Sequence, residues 1–420
     1  MSKPIENITP PSGLPALTAP EAISPEAATL KAQRGTRRLL LVGIPLFWSS
    51  WYIYNAYLSV YARSLGASLS LVGIIVGAYG FTQLVLRIPV GVLSDRLGRR
   101  KPFVLLGTMV GALSCAVMLI APQPWVLVVG RGLAGVAAGC WVPLSVLLVA
   151  NYPKNEVVKA TSMAAALTGV GSTLASALGG QLAEVAGVRV PFWVGIGLGL
   201  AATGLLALIR EPERATGKPL AISTLLSVGK VPLVLIASLL ALSGQYISWA
   251  MTQGFVPIYA AELGANKAQL GLMMSVWQAA NTLMAFGAGH LNARLGIRWT
   301  VVLGSGLITL STLLVPLLRA VNPLILSRVL HGVGQGLTYP VLMGSALLAV
   351  PEEKRGAAMG FFQAIYAIGM VAGPAVSGVF ADHLGLIPTF YLTTALSLAM
   401  VVVAAATLPR RVHAGESHQD

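Results

Sequence analysis

From residue 38 onwards the chain is a series of long apolar runs separated by short polar joints. A helix needs about 20 apolar residues to cross the hydrocarbon core of a bilayer. The runs do not alternate polar and apolar positions, as the strands of a membrane barrel would, so the pattern predicts an all-α membrane protein. Twelve transmembrane helices are predicted, over residues 38–62, 69–93, 102–121, 124–150, 157–186, 190–209, 230–260, 267–291, 298–319, 322–349, 355–383 and 386–408.

The two ends of the chain do not belong to this series. Residues 1–37 lack the basic start and apolar core of a signal peptide and contain prolines that disfavour a helix. We therefore expect a disordered cytoplasmic tail over 1–37 and a second cytoplasmic tail over 409–420. The prolines of the first tail are Pro4, Pro10, Pro11, Pro15, Pro20 and Pro25.

Composition supports a membrane protein over a soluble one. Hydrophobic residues make up 55% of the chain and charged residues only 10%, whereas a soluble domain is about 25% charged. The chain has two cysteines and five histidines, and it contains no HExxH, Walker or GxSxG motif. We therefore expect no enzyme, no catalytic residue, no metal site and no cofactor.

The basic residues predict the orientation. The formal net charge is +14, but the Lys and Arg residues lie in the joints between apolar runs, which favours a topology signal over nucleic-acid binding. With both termini in the cytoplasm, 21 of the 28 basic residues lie on the inner side, four lie outside and three fall within spans. This distribution predicts a multi-pass protein of the inner (plasma) membrane.

The second half of the chain repeats the first. YARSLGASLSLVG from Tyr61 aligns with YAAELGANKAQLG from Tyr259 at an offset of 198, and the segments from Arg131 and Arg328 align at an offset of 197. Tandem copies of six spans form two bundles around a cleft that opens to either side in turn. We predict bundles over 38–209 and 230–408, joined by a cytoplasmic linker over 210–229.

The segment GVLSDRLGRRKP, Gly91 to Pro102, resembles the signature loop between spans 2 and 3 of the major facilitator superfamily. The resemblance covers residues 38–408 and implies a secondary transporter. It also implies a conformational latch, in which Asp95 faces the positive N-terminal end of span 11 and Gly91 allows close helix approach. The alternative is a plain topology determinant. The predicted latch residues are Gly91, Asp95, Arg96, Gly98, Arg99 and Arg100.

Ionisable residues inside spans are candidates for function, because burying their charge in a membrane is costly. Arg131 resembles the span-4 arginine of proton-linked antiporters in this superfamily, which implies proton or substrate handling; the alternatives are snorkelling and pairing with a backbone carbonyl. Arg328 is its counterpart, and His331 is a proton-site candidate or a plain hydrogen-bonded histidine. Arg87 lies close to the inner surface, and we expect its side chain to snorkel there.

Polar and aromatic residues within spans predict the lining of the substrate cavity. None of the 14 acidic residues lies at mid-membrane, which argues against a cationic substrate. Interhelical hydrogen bonds are the alternative role for any one of these residues. The cavity candidates are Trp51, Tyr54, Asn55, Trp141, Gln245, Trp249, Gln253, Trp277, Gln278, Asn281, Gln363 and Tyr366, and the helix-packing candidates are Gly135, Gly139, Gly373 and Pro374.

The predicted activity is efflux of a small neutral or anionic amphiphile by alternating access, with protons as a candidate coupling ion. Antiporters of the superfamily resemble one another in a span-5 glycine pattern that ends in Gly-Pro; here Gly-Pro stands in span 11, as Gly373 and Pro374. Import of a sugar or organic acid is the first alternative. A non-transporting sensor or lipid-handling protein is the second.

The expected partners are the substrate and membrane lipid, and we expect a monomer that binds no nucleic acid.

Overall fold

The structure, a computed structural model, describes residues 25–209, 211 and 222–410. Every regular element within these ranges is a helix. Nine continuous helical stretches are long and apolar enough to cross a membrane, and two of them, Pro124–Val149 and Pro232–Glu262, join consecutive helices. The helices are α1 (Pro25–Asn55), α2 (Leu58–Ser64), α3 (Leu69–Arg96), α4 (Lys101–Leu119), α5 (Pro124–Gly139), α6 (Trp141–Val149), α7 (Val157–Val185), α8 (Val190–Ala207), α9 (Ile222–Gly229), α10 (Pro232–Ser248), α11 (Val256–Glu262), α12 (Lys267–Leu317), α13 (Val321–Leu348), α14 (Arg355–Leu384) and α15 (Leu386–Thr407).

Three irregular features interrupt this pattern. Trp249–Phe255, between α10 and α11, forms a π-helix. The 51-residue α12 is two helices that meet at a kink, where Gly296 has φ 77°. Short 3₁₀ turns at Lys154–Glu156 and Glu352–Lys354 precede α7 and α14. The predicted spans 267–291 and 298–319 therefore correspond to the two arms of α12.

The expected disorder of residues 1–37 is wrong for its last part, because α1 begins at Pro25. Proline is favoured in the first turn of a helix, where its missing N–H would have no intrahelical partner. The sequence after Pro25 is rich in alanine and leucine, which favour helix. Three stretches of the predicted tails and linker lie outside the described residues. They are residues 1–24 of the first tail, residues 210 and 212–221 of the linker over 210–229, and residues 411–420 of the second tail.

The sequence repeat is present in the backbone. Six glycines of the described chain have a left-handed φ, and they fall into three pairs that are 198 residues apart. Residues other than glycine rarely adopt this backbone conformation, so each pair marks a turn that both copies of the repeat need. The pairs are Gly66 and Gly264, Gly98 and Gly296, and Gly187 and Gly385.

Helices α1–α8 pack mainly among themselves, and α10–α15 do the same. The two groups meet along two helix pairs, α3 with α14 and α7 with α12. Small residues permit this approach. A Cβ at Gly73 would overlap the carbonyl of Pro374, and a Cβ at Gly180 would lie 2.7 Å from the Cα of Gly271.

Carboxylates form hydrogen bonds at one end of both helix pairs. We call this end the clamp end and define it by Leu69, Glu184, Lys267 and Asp382. Asp382 of α14 accepts hydrogen bonds from the backbone N–H groups of Leu69 and Ser70, at 2.8 Å each. Glu184 of α7 accepts one from the N–H of Lys267 at 2.9 Å. Each carboxylate therefore caps the first turn of a helix from the other group.

The opposite end, which we name the loop end, contains the turns at Gly98 and Gly296. A Cβ added to Gly91 or to its repeat partner Gly289 would meet no atom of the described residues within 4 Å. The expected close approach at Gly91 is therefore wrong in this structure, since α3 and α14 pack closely nearer the clamp end. The Asp95 side chain, on which the predicted latch depends, lies outside the described part of the chain.

The other latch residues occupy the turn between α3 and α4. Gly98 supplies the left-handed turn with φ 62°, and the side chains of Arg96 and Arg99 are exposed. The backbone N–H of Arg100 donates to Glu211 at 2.8 Å, and that of Lys101 donates to the same carboxylate at 2.7 Å. Glu211 thus caps the start of α4, within the N-terminal group of helices.

Candidate substrate site

Arg131 lies at the junction of the two helix groups. It is 1% exposed, and its Nη2 donates to Oε1 of Gln253 at 3.0 Å. The guanidinium lies 4.6 Å from the ring centre of Tyr79 and 5.8 Å from that of Trp249, and these two rings stack 5.0 Å apart. Its Nε and Nη1 are buried without a hydrogen-bond partner in the described structure.

Gln253 belongs to the π-helix and connects three side chains of the N-terminal group. Its Oε1 also accepts from Nδ2 of Asn55 at 3.0 Å, and its backbone carbonyl accepts from Oγ of Ser59 at 2.6 Å. Asn55 and Gln253 are equivalent residues of the two repeats, 198 positions apart. π-Helical turns are rare and occur frequently at functional sites, and this one places Trp249 and Gln253 together against Arg131.

An aromatic cluster lies on α1 and α6. The ring of Trp48 is 5.3 Å from Trp51, 6.0 Å from Tyr52 and 5.4 Å from Trp141. The indole N–H groups of Trp48 and Trp51 are buried, and neither has a partner among the described residues. Tyr54 is directed elsewhere, with its hydroxyl 3.1 Å from that of Ser114.

Arg87 does not snorkel, so that expectation is wrong. Its Nη1 donates to the hydroxyl of Tyr366 on α14 at 2.8 Å, so the side chain crosses from one helix group to the other. Tyr366 packs against Tyr339 and Phe362, with ring centres 5.6 and 5.9 Å away. The Nε of Arg87 is buried without a partner in the described structure.

Arg328 and His331 are held inside the C-terminal group. Arg328 is fully buried, and its Nη2 donates to the carbonyl and hydroxyl of Ser311 at 2.9 and 2.8 Å. Nε2 of His331 lies 2.9 Å from Oγ of Ser248, which donates to Gln335 at 3.1 Å. The structure therefore separates Arg328 and His331 from the junction at which Arg131 lies.

The other cavity candidates are dispersed. The indole N–H of Trp249 donates to Gln245 at 3.1 Å. Trp277 packs with Ala56 and Met274, and Gln278 makes one long contact of 3.5 Å with Thr282. Asn281 and Gln363 are half-buried.

Three of the four packing candidates lie in close helix contacts, and the prediction is wrong for Gly139 in this structure. A Cβ at Gly135 would overlap the carbonyl of Tyr79, and one at Gly373 would overlap that of Tyr246. Pro374 is the residue opposite Gly73, whereas a Cβ at Gly139 would lie 4.0 Å from the nearest atom, the backbone N of Arg87.

Sequence reasoning missed Tyr79, Trp48 and the role of Arg87. Tyr79 and Trp48 lie in runs of apolar residues, where nothing distinguishes a cavity aromatic from a lipid-facing one. The carboxylates of the clamp end could have been found, because Glu184 and Asp382 are separated by the repeat offset of 198.

Comparison with known proteins decides the family. The family model described as the Major Facilitator Superfamily matches residues 39–247 and 238–419. This chain belongs to the Major Facilitator Superfamily. It is therefore a secondary transporter of that superfamily, with several membrane-spanning helices.

Relatives of this superfamily member include an uncharacterised transporter and a multi-drug efflux pump. It is 22% identical over 369 residues to an uncharacterised transporter of the superfamily from Methanocaldococcus jannaschii, a match that covers 84% of this chain and 93% of that protein. It is 27% identical over 317 residues to the multi-drug resistance efflux pump PmrA of Streptococcus pneumoniae, covering 72% and 77% of the two chains.

Solved structures of the superfamily share the fold. A single-site mutant of the nucleoside transporter NupG superposes with a TM-score of 0.75 at 14% identity, covering 90% of this chain and 100% of that one. A bacterial homologue of the human lysosomal transporter Spinster superposes with a TM-score of 0.74 at 14% identity, covering 89% and 96%.

Proposed function

We propose that this superfamily member exports a small neutral or anionic amphiphile across the inner (plasma) membrane by alternating access. The observation that carries this proposal is Arg131, a buried guanidinium at the junction of the two helix groups, two of whose nitrogens have no hydrogen-bond partner among the described residues. In the described residues, neither Arg131 nor Arg87 makes an ion pair with an acid. A cation would meet this positive charge without compensation, whereas an anion or a hydrogen-bond acceptor would satisfy it.

The proposed topology has twelve spans with both termini in the cytoplasm. It assigns 21 basic residues to the inner side and four to the outer side, as the positive-inside rule requires. The two bundles over 38–209 and 230–408 correspond to the two helix groups, and the linker over 210–229 joins them on the cytoplasmic side. The clamp end is then the outer end, and the loop end faces the cytoplasm.

We infer that, with this orientation, the structure represents the inward-facing state. At the outer end Asp382 and Glu184 hold the two bundles together. Towards the inner end, Gly91 and Gly289 lie in close contact with no described residue of another helix. Substrate entering from the cytoplasm would reach the aromatic rings and Arg131 before the outer closure.

Export is favoured over import by the relationship to the pneumococcal efflux pump, which matches 72% of this chain. Import of a sugar or organic acid is the alternative of the same class. A sensor or lipid-handling role is the alternative of another class. Asp95 remains the proposed latch and His331 the proposed proton-site candidate, with Arg131 as the residue through which a proton or substrate would act.

Everted and right-side-out membrane vesicles test the direction. We expect everted vesicles that contain the protein to accumulate neutral or anionic aromatic compounds, at a rate above that of vesicles without it. Accumulation confined to right-side-out vesicles would establish the importer. The absence of protein-dependent flux in either orientation, across a panel of anions, neutral compounds and cations, would favour the non-transporting alternative.

A further inference from the structure

Arg87 places a second guanidinium at the interface of the two helix groups. It lies on α3, eight residues after Tyr79, whose ring stacks under Arg131. At a rise of 1.5 Å per residue, Arg87 is about 12 Å nearer the loop end than Tyr79. The two arginines therefore lie at successive depths of one interface, with Tyr79 between them.

The partner of Arg87 leaves its charge uncompensated. The hydroxyl of Tyr366 accepts one hydrogen bond from Nη1 at 2.8 Å, and a neutral phenol contributes no negative charge. The Nε is buried without a partner, and within the described side chains no carboxylate pairs with the guanidinium. A buried charge in a membrane protein normally has a counter-ion or a function.

The side chains around Arg87 and Arg131 indicate the chemistry of a ligand that would bind to both guanidinium groups. Tyr339, Phe362 and Tyr366 form a group of rings beside the guanidinium, and Tyr79 and Trp249 form a stacked pair beside Arg131. Aromatic faces bind planar apolar bodies, and a guanidinium fork matches the geometry of a carboxylate. A compound with both features has the chemistry that the groups at each depth would bind.

We propose that Arg87, held in place by Tyr366, is a second anion-binding group of the substrate path, and that the path takes aromatic carboxylates. The inference rests on the proposed function and deepens it by naming the substrate class. In the inward-facing state, a carboxylate from the cytoplasm meets Arg87 first and Arg131 second. Arg87 thus sets the affinity from the inner side, and Arg131 binds the anion at the point where the two bundles are closed.

The test compares 2-naphthoate with its neutral analogue 2-naphthamide, measured as dissociation constants by isothermal titration on the purified protein. In Arg87→Gln we expect naphthoate to bind at least about tenfold more weakly, since the variant removes a hydrogen bond between two charged groups. Binding of naphthamide should not change. Arg87→Lys should retain part of the preference for the acid, and Tyr366→Phe should lower it by less than Arg87→Gln does.

The control is Arg189→Gln, which removes an exposed arginine near the clamp end and should leave both constants unchanged. If Arg87 served only to join α3 to α14, Arg87→Gln would change the binding of acid and amide equally, and that result would overturn the inference. Wild-type protein that binds no naphthoate would overturn the assignment to aromatic carboxylates. Loss of naphthoate binding in Arg131→Ala but not in Arg87→Gln would remove this inference while the proposed function stands.

Discussion

Glu184 and Asp382 occupy equivalent positions in the two repeats, 198 residues apart, and each carboxylate caps a helix of the opposite bundle. The helices that they cap, which begin at Lys267 and Leu69, are related by the same offset. The clamp end is therefore closed by two copies of one interaction, a carboxylate at the end of one helix against the N–H groups at the start of another. Because the contacts cross between bundles, they stabilise the state in which this end is closed.

The first prediction concerns this clamp. The double variant Glu184→Gln, Asp382→Asn should open the outer end more often, because each carboxylate at a helix N-terminus contributes about 0.3–1 kcal/mol. A cysteine at Ser70, which is half-buried beside Asp382, should then react several-fold faster with an impermeant maleimide. Glu262→Gln is the matched control, since Glu262 is an exposed acid that ends α11. Equal labelling rates in the double variant and the wild type would show that the caps do not hold the closure.

The second prediction concerns the amide beside Arg131. Gln253→Glu replaces the amide, whose oxygen accepts a hydrogen bond from Arg131 at 3.0 Å, with a carboxylate. The resulting ion pair should occupy the guanidinium and hold the bundles together, so that transport of anions falls at least about tenfold. Flux in proteoliposomes measures this effect, and Gln245→Glu, which alters the amide bonded to Trp249, is the control. Undiminished anion flux in Gln253→Glu would mean that the substrate does not need Arg131.

The third prediction separates the two equivalent arginines. Arg328→Ala should destabilise the protein by about 1.5–3 kcal/mol, the range for hydrogen bonds to a charged group, because all its described partners lie in its own bundle and are lost together. Arg131→Ala should be less destabilising, since among the described residues Arg131 donates only to Gln253, whereas Arg328 bonds to both Ser311 and Ser327. Unfolding curves of the two variants in the same detergent make the comparison. A larger loss in Arg131→Ala would reverse the assignment of roles.

The fourth prediction concerns the loop between α3 and α4. Asp95→Asn removes the charge that the proposed latch directs at the start of α14, a contact of about 0.3–2 kcal/mol. Transport should slow while the amount of protein in the membrane stays normal, because the balance of conformations changes and the fold does not. Flux and the labelling rate of the cysteine at Ser70 should both respond. If neither changes, the motif is a topology determinant only.

The repeat explains what the sequence could predict. Helical spans follow from apolar length, and the offset of 198 by itself pairs Asn55 with Gln253 and Glu184 with Asp382. The pairing does not say whether equivalent residues touch each other or touch other groups. In the structure Asn55 and Gln253 contact one another directly, whereas Glu184 and Asp382 act at separate helix pairs.

The different fates of Arg131 and Arg328 could not be predicted from their shared motif. In the first repeat Tyr54 reaches Ser114, and Arg131 extends across the junction to Gln253. The second repeat has the shorter Thr252 in place of Tyr54, and there Arg328 reaches Ser311, the equivalent of Ser114. The residue on the neighbouring span, Tyr54 or Thr252, therefore differs between the repeats together with the partner of the arginine.

The direction of Arg87 could not be predicted for a related reason. Its position near the inner end of span 2 is compatible with snorkelling and with crossing to span 11. The choice depends on Tyr366, which is 279 residues away in sequence. Sequence alone does not show that this hydroxyl lies within reach.

We propose that the transporter selects its substrate by charge at Arg131, and flux of a charge-matched series through proteoliposomes tests this selection. The series consists of three compounds that share one aromatic ring system and carry a carboxylate, an amide or a quaternary ammonium group. Each is assayed with the wild type, Arg131→Ala and Arg131→Lys. We predict flux of the carboxylate or the amide and none of the ammonium compound, loss of carboxylate flux in Arg131→Ala, and partial recovery in Arg131→Lys, which lacks the bidentate fork. Rapid flux of the ammonium compound that persists in Arg131→Ala would contradict the account.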